Sequence, residues 1–198
     1  MKKNELVFYY GTMSSSKTAN ALMTRFQYLE KGKSVLLVKP SIDTRAGETT
    51  VSSRVGVQAE ADMILKPEDS FTKRYINEFL TTTDSPDVII IDEAQFLTAK
   101  QVDDLKFFAA THHSSIYCYG LRTDFRTKLF EGSKRLFEVA DRLVELESIC
   151  ECGDKAIFSA RYSKGKLVTK GQQVDIGGDD KYKAVCYRCW YIQSHQQE

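Results

Sequence analysis

The sequence predicts an α/β fold: a doubly wound, mainly parallel sheet followed by a small β-rich segment built around cysteines. Three observations carry that expectation. Short apolar runs alternate with stretches whose apolar residues recur at helical spacing. Val88-Ile89-Ile90-Ile91 puts four β-branched residues in a row, the texture of a strand covered on both faces in a parallel sheet. From Ile149 onward, helical periodicity gives way to short alternating runs such as Ala156-Ile157-Phe158, with cysteines in pairs. The expected division is therefore 1–148 and 149–198.

At 198 residues the chain can bury one good core with a small appendage. A net charge of +1 and a pI near 7.6 argue against the electrostatic footprint of a nucleic-acid or anionic-membrane binder. Lys2 and Lys3 precede only the short apolar run Leu6–Tyr10, too brief for a signal-peptide core or a membrane span. The expectation is a cytoplasmic protein whose five cysteines act as thiols or metal ligands before disulfides.

In chain order, Leu6–Tyr10 reads as a buried strand that runs into Gly11-Thr12-Met13-Ser14-Ser15-Ser16-Lys17-Thr18. Ala19, Leu22, Met23, Phe26 and Leu29 then form the apolar face of a helix. Strand, loop of small residues, Lys-Thr and helix make the context of a phosphate-binding loop. Backbone N–H groups and the helix N-terminus point at phosphate oxygens. Lys17 adds charge at the β- and γ-phosphates, and the Thr18 hydroxyl reaches Mg²⁺. The competing reading is an ordinary strand–turn–helix joint. Ser16 departs from the motif, which has glycine there. A serine held left-handed is strained and crowds phosphate, so weakened ATP use is expected, with Ser16→Gly restoring kcat/KM about tenfold.

Lys31-Gly32-Lys33 turns the chain into a second strand, Ser34–Val38, ended by Pro40. Residues 41 to about 60 are polar, Gly-punctuated and rich in Ser/Thr, a long loop or hairpin. Pro67-Glu68-Asp69 is expected to open a helix whose apolar face is Phe71, Tyr75, Phe79 and Leu80. The strand Asp87–Ile91 delivers Asp92 and Glu93 at its C-terminal end, where ligands sit in open α/β sheets. An Asp there holds Mg²⁺ and an adjacent Glu takes a proton from a nucleophile; the bland alternative is two acids ending a strand. Thr98 caps a helix through Val102, Leu105, Phe108 and Ala109, and His112 and His113 at its end read as solvated. Ile116–Leu121 is a strand with Cys118 as a core thiol, and Arg122–Lys128 is a loop at the same sheet edge. A helix through Leu136, Phe137 and Ala140 and a strand over Leu143–Leu146 complete five strands alternating with helices.

Cys150-Glu151-Cys152 and Cys186-Tyr187-Arg188-Cys189 are two separated pairs beside turns, the pattern of a Cys₄ zinc site. The first pair is C-x-C rather than C-x₂-C, and four unrelated buried thiols are the alternative. Zinc here would pin the long intervening segment at its base, where apolar burial is thin.

With these pieces placed, the chain resembles, over nearly its full length, the thymidine kinases of the cytosolic, zinc-containing type. The resemblance rests on Gly11–Thr18, Asp43-Thr44-Arg45, Asp92-Glu93-Ala94-Gln95-Phe96, Tyr119-Gly120-Leu121-Arg122-Thr123-Asp124-Phe125, the four cysteines, and Ile176-Gly177-Gly178 before Lys181-Tyr182. It implies a RecA-like phosphate-loop domain and a zinc-binding lasso, and transfer of the ATP γ-phosphoryl group to the 5′-hydroxyl of thymidine, with deoxyuridine the nearest other acceptor. Glu93 would be the general base, Lys17 and Arg45 would offset transition-state charge, and Thr18 and Asp92 would hold Mg²⁺. ATP would lie on Gly11, Thr12, Met13, Ser14, Ser15, Ser16, Lys17 and Thr18 together with Asp92, Glu93, Ala94 and Gln95. Met13, Phe96, Leu121, Phe125 and Phe130 would wall the nucleoside, each with core packing as its alternative role. Ser159, Val174, Ile176, Gly177 and Tyr182 would read the base and sugar. The resemblance also implies a homotetramer inhibited by thymidine triphosphate, with no nucleic-acid partner. Two other readings stay open at this stage: a nucleotide-dependent switch with a zinc docking module, and a kinase-like protein whose activity Ser16 reduces.

Overall fold

The computed structural model describes residues 4–79, 85–173 and 181–195. Its main layer is a six-stranded, fully parallel sheet of β1 (Leu6–Gly11), β2 (Val35–Pro40), β5 (Met63–Leu65), β6 (Val88–Ile91), β7 (Ser115–Leu121) and β8 (Arg142–Glu145). Its order is β5-β2-β6-β7-β1-β8. The register pairs Phe8 with Cys118 and Ile91 with both Val38 and Cys118. All four β6 side chains are buried, as the unbroken apolar run requires; each contributes roughly 1.5–3 kcal/mol by leaving water. The loops after β1, β2, β6 and β7 therefore emerge at one sheet edge, and the site is built there.

Helices α1 (Lys17–Glu30), α2 (Phe71–Phe79), α3 (Ala99–His112) and α4 (Glu131–Val139) flank the sheet. One core cluster gathers Phe8, Phe71, Tyr75, Ile89, Phe108 and Leu136 on one face; a second gathers Ala21, Leu22, Leu37, Ile90 and Tyr119 on the other. Thr98 caps α3 as expected, with Gln101 N–H donating to its Oγ1 at 3.2 Å and Gln101 Oε1 accepting from Thr98 N–H at 3.0 Å.

Two expectations are corrected, at β5 and at the start of α2, and one is made specific, at residues 41–60. Met63–Leu65, three residues long, is a sixth strand at the sheet edge beside β2. Residues 41–60 hold a hairpin of β3 (Thr50–Ser52) and β4 (Gln58–Glu60). Pro67-Glu68-Asp69 is a turn, and α2 starts at Phe71. Asp104 of α3 fixes that start by accepting from Thr72 N–H at 3.1 Å and from the Thr72 hydroxyl at 2.6 Å. Leu80 lies outside the described residues.

The apolar stripe of α1 is placed differently in part: Leu22 is buried in the core as expected, but its other large members are not. Met23 (59 % exposed), Phe26 (60 %) and Leu29 (42 %) face solvent. Lys17, Ala21, Thr24 and Tyr28, themselves at helical spacing, turn inward, and the polar atoms of two find partners on the sheet. Thr24 Oγ1 meets the Tyr119 hydroxyl at 3.1 Å, and the Tyr28 hydroxyl meets that of Tyr117 at 2.9 Å.

The C-terminal part has its own antiparallel sheet, β10 (Lys166–Val168), β9 (Phe158–Ser163) and β11 (Tyr182–Val185), followed by α5 (Tyr187–His195). Its small core is Cys150, Ala156, Ala160, Leu167, Val185 and Cys186, with Phe158, Tyr162 and Trp190 against it. The segment between the cysteine pairs thus carries strands rather than being loop alone.

Candidate active site

The phosphate loop leaves β1 at Gly11, where a β-carbon would lie 2.4 Å from both the Leu146 carbonyl oxygen and Ser15 Oγ, so only glycine fits. Ser15 is buried and donates to the Thr12 carbonyl at 2.9 Å. Lys17 Nζ donates to the same carbonyl at 2.6 Å and to Ser15 Oγ at 3.2 Å, curling the loop around its own amine. Ser14 and Ser16 both sit at positive φ, 65° and 57°, and Ser16 leads directly into α1. The position that breaks the motif therefore has the left-handed backbone that glycine would adopt freely.

β6 brings the acids opposite. The Thr18 hydroxyl donates to Asp92 at 3.0 Å and 3.2 Å, which joins the two expected Mg²⁺ residues. Glu93 turns off the strand at φ 52°, and its carboxylate meets Arg45 Nη2 on one oxygen and Gln95 Nε2 on the other. Arg45 is held in turn by Asp43, at 2.7 Å from Nε. Burial lowers the Lys17 pKa to about 8, against the opposing pull of Glu93 and Asp92. Burial and the Glu93 charge push Asp92 up to about 7, against Thr18 and Lys17. Burial works against the Arg45 charge, but Glu93 and Asp43 outweigh it and raise its pKa. The result is a cluster of opposed charges, buried apart from Arg45, suited to a polyanion and a divalent cation. Lys17, Thr18, Arg45, Asp92 and Glu93 all line a cleft of about 480 Å³, with Met13, Ser14, Ser16 and Leu121.

Two cations in this region carry no local sequence signal. Arg54, at the tip of the β3–β4 hairpin, lines the cleft and donates from Nη1 to Ser14 Oγ at 2.8 Å. Lys39, fully buried on β2, donates to the carbonyls of Gly47 at 2.9 Å and Thr50 at 2.7 Å, and lies 3.6 Å from Asp43. It ties down the loop that presents Arg45.

Of the residues expected around a nucleoside, Met13 and Leu121 line the cleft. Ser159 Oγ accepts from Met13 N–H at 3.0 Å, linking the C-terminal sheet to the phosphate loop. Phe96 and Phe130 pack edge to face, 5.9 Å between centroids. Phe125 is buried beneath the Arg161 guanidinium, 3.8 Å above its ring, and Tyr182 pairs with Arg161 across β11 and β9. Ala94 and Gln95 are buried in the turn after β6. Val174, Ile176 and Gly177 lie outside the described residues.

The Sγ atoms of Cys150, Cys152, Cys186 and Cys189 all lie within 4.8 Å of one another. Tetrahedral zinc with Zn–S bonds of about 2.3 Å spaces its sulfurs by about 3.8 Å. Cys152 and Cys186 are 3.6 Å apart, and Cys189 N–H donates to Cys186 Sγ at 3.4 Å, as a zinc knuckle's backbone does. The short C-x-C spacing is accommodated because Gly153, at φ 93°, folds its N–H back to the Cys150 carbonyl at 2.9 Å. The donor set and spacing fit zinc, and Cys118 stays apart as a buried core thiol.

A family model described as thymidine kinase matches residues 4–190. The chain is 40% identical over 193 residues to a thymidine kinase of Encephalitozoon cuniculi, spanning 96% of this chain and 88% of that protein. It is 42% identical over 189 residues to a thymidine kinase of Enterobacteria phage T4, spanning 93% and 94%. With one from Photobacterium profundum it shares 40% over 183 residues, spanning 92% and 94%. Because the family match runs unbroken from the strand before the phosphate loop past the fourth cysteine, the chain as a whole belongs to the thymidine kinase family.

Proposed function

We propose that this chain transfers the γ-phosphoryl group of ATP to the 5′-hydroxyl of thymidine, giving thymidine 5′-monophosphate and ADP. The observation that carries the reading is the convergence of Lys17, Thr18, Arg45, Asp92 and Glu93 on one cleft. Glu93 removes the 5′-hydroxyl proton as the new O–P bond forms and the bond to the ADP oxygen breaks. Lys17 and Arg45 neutralise charge spread over the transferring group, and the Gly11–Thr18 backbone cradles the phosphates, with Asp92 and Glu93 facing them and Ala94 and Gln95 buried behind those acids. Thr18 and Asp92 would hold Mg²⁺, which supplies charge neutralisation on the β- and γ-phosphoryl oxygens. Arg45 also keeps Glu93 paired until the acceptor arrives.

On the nucleoside side, we assign Met13, Phe96, Leu121, Phe125 and Phe130 as walls and Ser159, Val174, Ile176, Gly177 and Tyr182 as base and sugar contacts. The Ser159–Met13 hydrogen bond supports this, since it puts the C-terminal sheet against the phosphate loop. The division into 1–148 and 149–198 belongs to the same reading, with zinc on the four cysteines fixing the second part. A homotetramer belongs to the same reading, and the stripe of Met23, Phe26 and Leu29 supports self-association through one of its interfaces, because three large apolar side chains are exposed on one helix. A cytoplasmic location and inhibition by thymidine triphosphate complete the reading; no helix among the described residues is long and apolar enough to cross a membrane.

Purified protein incubated with radiolabelled thymidine tests the proposal: labelled monophosphate is expected with ATP and Mg²⁺ and not without ATP. Thymidine binding without turnover would instead mark a kinase-like protein silenced at Ser16, and nucleotide hydrolysis without an acceptor would mark a switch.

A further inference from the structure

We propose that Gln95 positions the Glu93 carboxylate for proton abstraction and makes no contact with nucleotide. The inference rests on Glu93 as general base and deepens that reading. Gln95 is 2 % exposed, in the turn directly behind the base. Its Oε1 accepts from Leu121 N–H at 2.9 Å, and its Nε2 donates to Glu93 Oε2. A backbone N–H can only donate, so it takes the oxygen end of the amide; the NH₂ end is then left for the carboxylate. The side chain is thus a strut between the end of β7 and the catalytic acid, with its polarity set by the strand.

Two further features fit this role. Gly120 precedes the anchoring N–H, and a β-carbon there would lie 2.9 Å from Gln95 Oε1 and 3.0 Å from the Gln95 backbone nitrogen. The glycine keeps open the space the strut occupies. Glu93 itself leaves β6 in a left-handed conformation, which throws its side chain toward Arg45. Arg45 comes from a loop with its side chain 42 % exposed, whereas Gln95 is locked in the core. Of the two groups holding the carboxylate, the amide is the rigid one. Small displacements of a reacting group cost up to about a hundredfold in rate.

Gln95→Met keeps the bulk and removes both hydrogen bonds. Its expected effect is a fall in kcat of about 10–100-fold, with KM for ATP and for thymidine within about twofold of the parent. The decisive measurement repeats the substitution in Glu93→Gln, using radiolabelled thymidine for sensitivity. A residue acting only through Glu93 has nothing left to position, so kcat should fall no further there. A structural role would lower kcat by the same factor in both backgrounds, and an ATP contact would raise KM for ATP; either result overturns the proposal. Should Gln95→Met not fold, Gly120→Ala crowds the same amide and must give the same dependence on Glu93. Near-parent turnover in Glu93→Gln alone would remove the base assignment instead, an outcome distinct from failure of the positioning role.

Discussion

Replacing Ser16 with glycine removes one β-carbon from backbone that the fold holds at φ 57° and ψ 26°. A non-glycine residue pays about 1–2 kcal/mol for that left-handed conformation, and glycine almost none. The serine hydroxyl makes no capping bond to α1 that would offset the strain. Ser15 and Lys17 on either side are buried and pinned to the Thr12 carbonyl. Any relaxation at residue 16 must therefore rotate the adjoining peptides and carry Lys17 with it. Strain of this kind is felt where phosphate is bound, because the N–H groups and the lysine must be aligned together. Recovering about 1.4 kcal/mol in the transition state corresponds to about a tenfold rise in kcat/KM for ATP. Stability should change less, since glycine loses about 0.5–1 kcal/mol more chain entropy on folding; the net gain is at most about 1.5 kcal/mol, or a Tm rise of at most about 3–6 °C at this chain length. The assay is initial-rate kinetics against ATP at saturating thymidine, with thymidine Kd and Tm measured in parallel. Thymidine Kd is expected to stay unchanged. If Tm rises while kcat/KM for ATP stays put, the fold alone carries the strain and the argument for impaired nucleotide use is wrong.

Glu93→Gln should retain thymidine binding and lower kcat by about 10²–10⁴-fold in steady-state assays; near-parent turnover would exclude Glu93 from the chemistry. Elemental analysis of protein purified without chelator should give about one zinc per chain, lost in Cys186→Ala and kept in Cys118→Ser; full zinc retention in Cys186→Ala would break the Cys₄ assignment. Lys39→Met leaves the Gly47 and Thr50 carbonyls without their buried donor, so chemical denaturation should show a loss of about 3 kcal/mol. A loss under about 1 kcal/mol would mean that the Arg45 loop is held by other contacts. Phe26→Glu places a charge on the exposed α1 stripe and should shift the light-scattering mass below that of a tetramer; an unaltered tetramer would move the interface elsewhere.

How much of this was legible in the sequence follows from how local each signal is. The β6 run and the Thr98 capping box declare themselves within a few residues, because burial on both faces and helix capping are short-range demands. The phosphate loop, Asp92 and Glu93 are legible for the same reason: each chemical duty falls on adjacent positions at a strand end. β5 is not, because three residues carry too little pattern, and its start is fixed by Asp62 accepting from Leu37 N–H at 2.7 Å, a contact made only once the sheet exists. The inward face of α1 was hidden because Thr24 and Tyr28 become core-compatible only through hydroxyl partners on β7. The cations divide in the same way. Lys17 sits inside a motif, whereas Arg54 reaches the cleft only when the β3–β4 hairpin folds back, and Lys39 looks like a charge at the end of an apolar strand until its carbonyl partners are in place. Sequence patterns therefore identify the groups proposed to handle the proton and the metal, and undercount the positive charge arranged around the cleft. That charge arrives on loops whose positions are set by tertiary contacts, so the electrostatic part of catalysis in this cleft can be weighed only after the chain is folded.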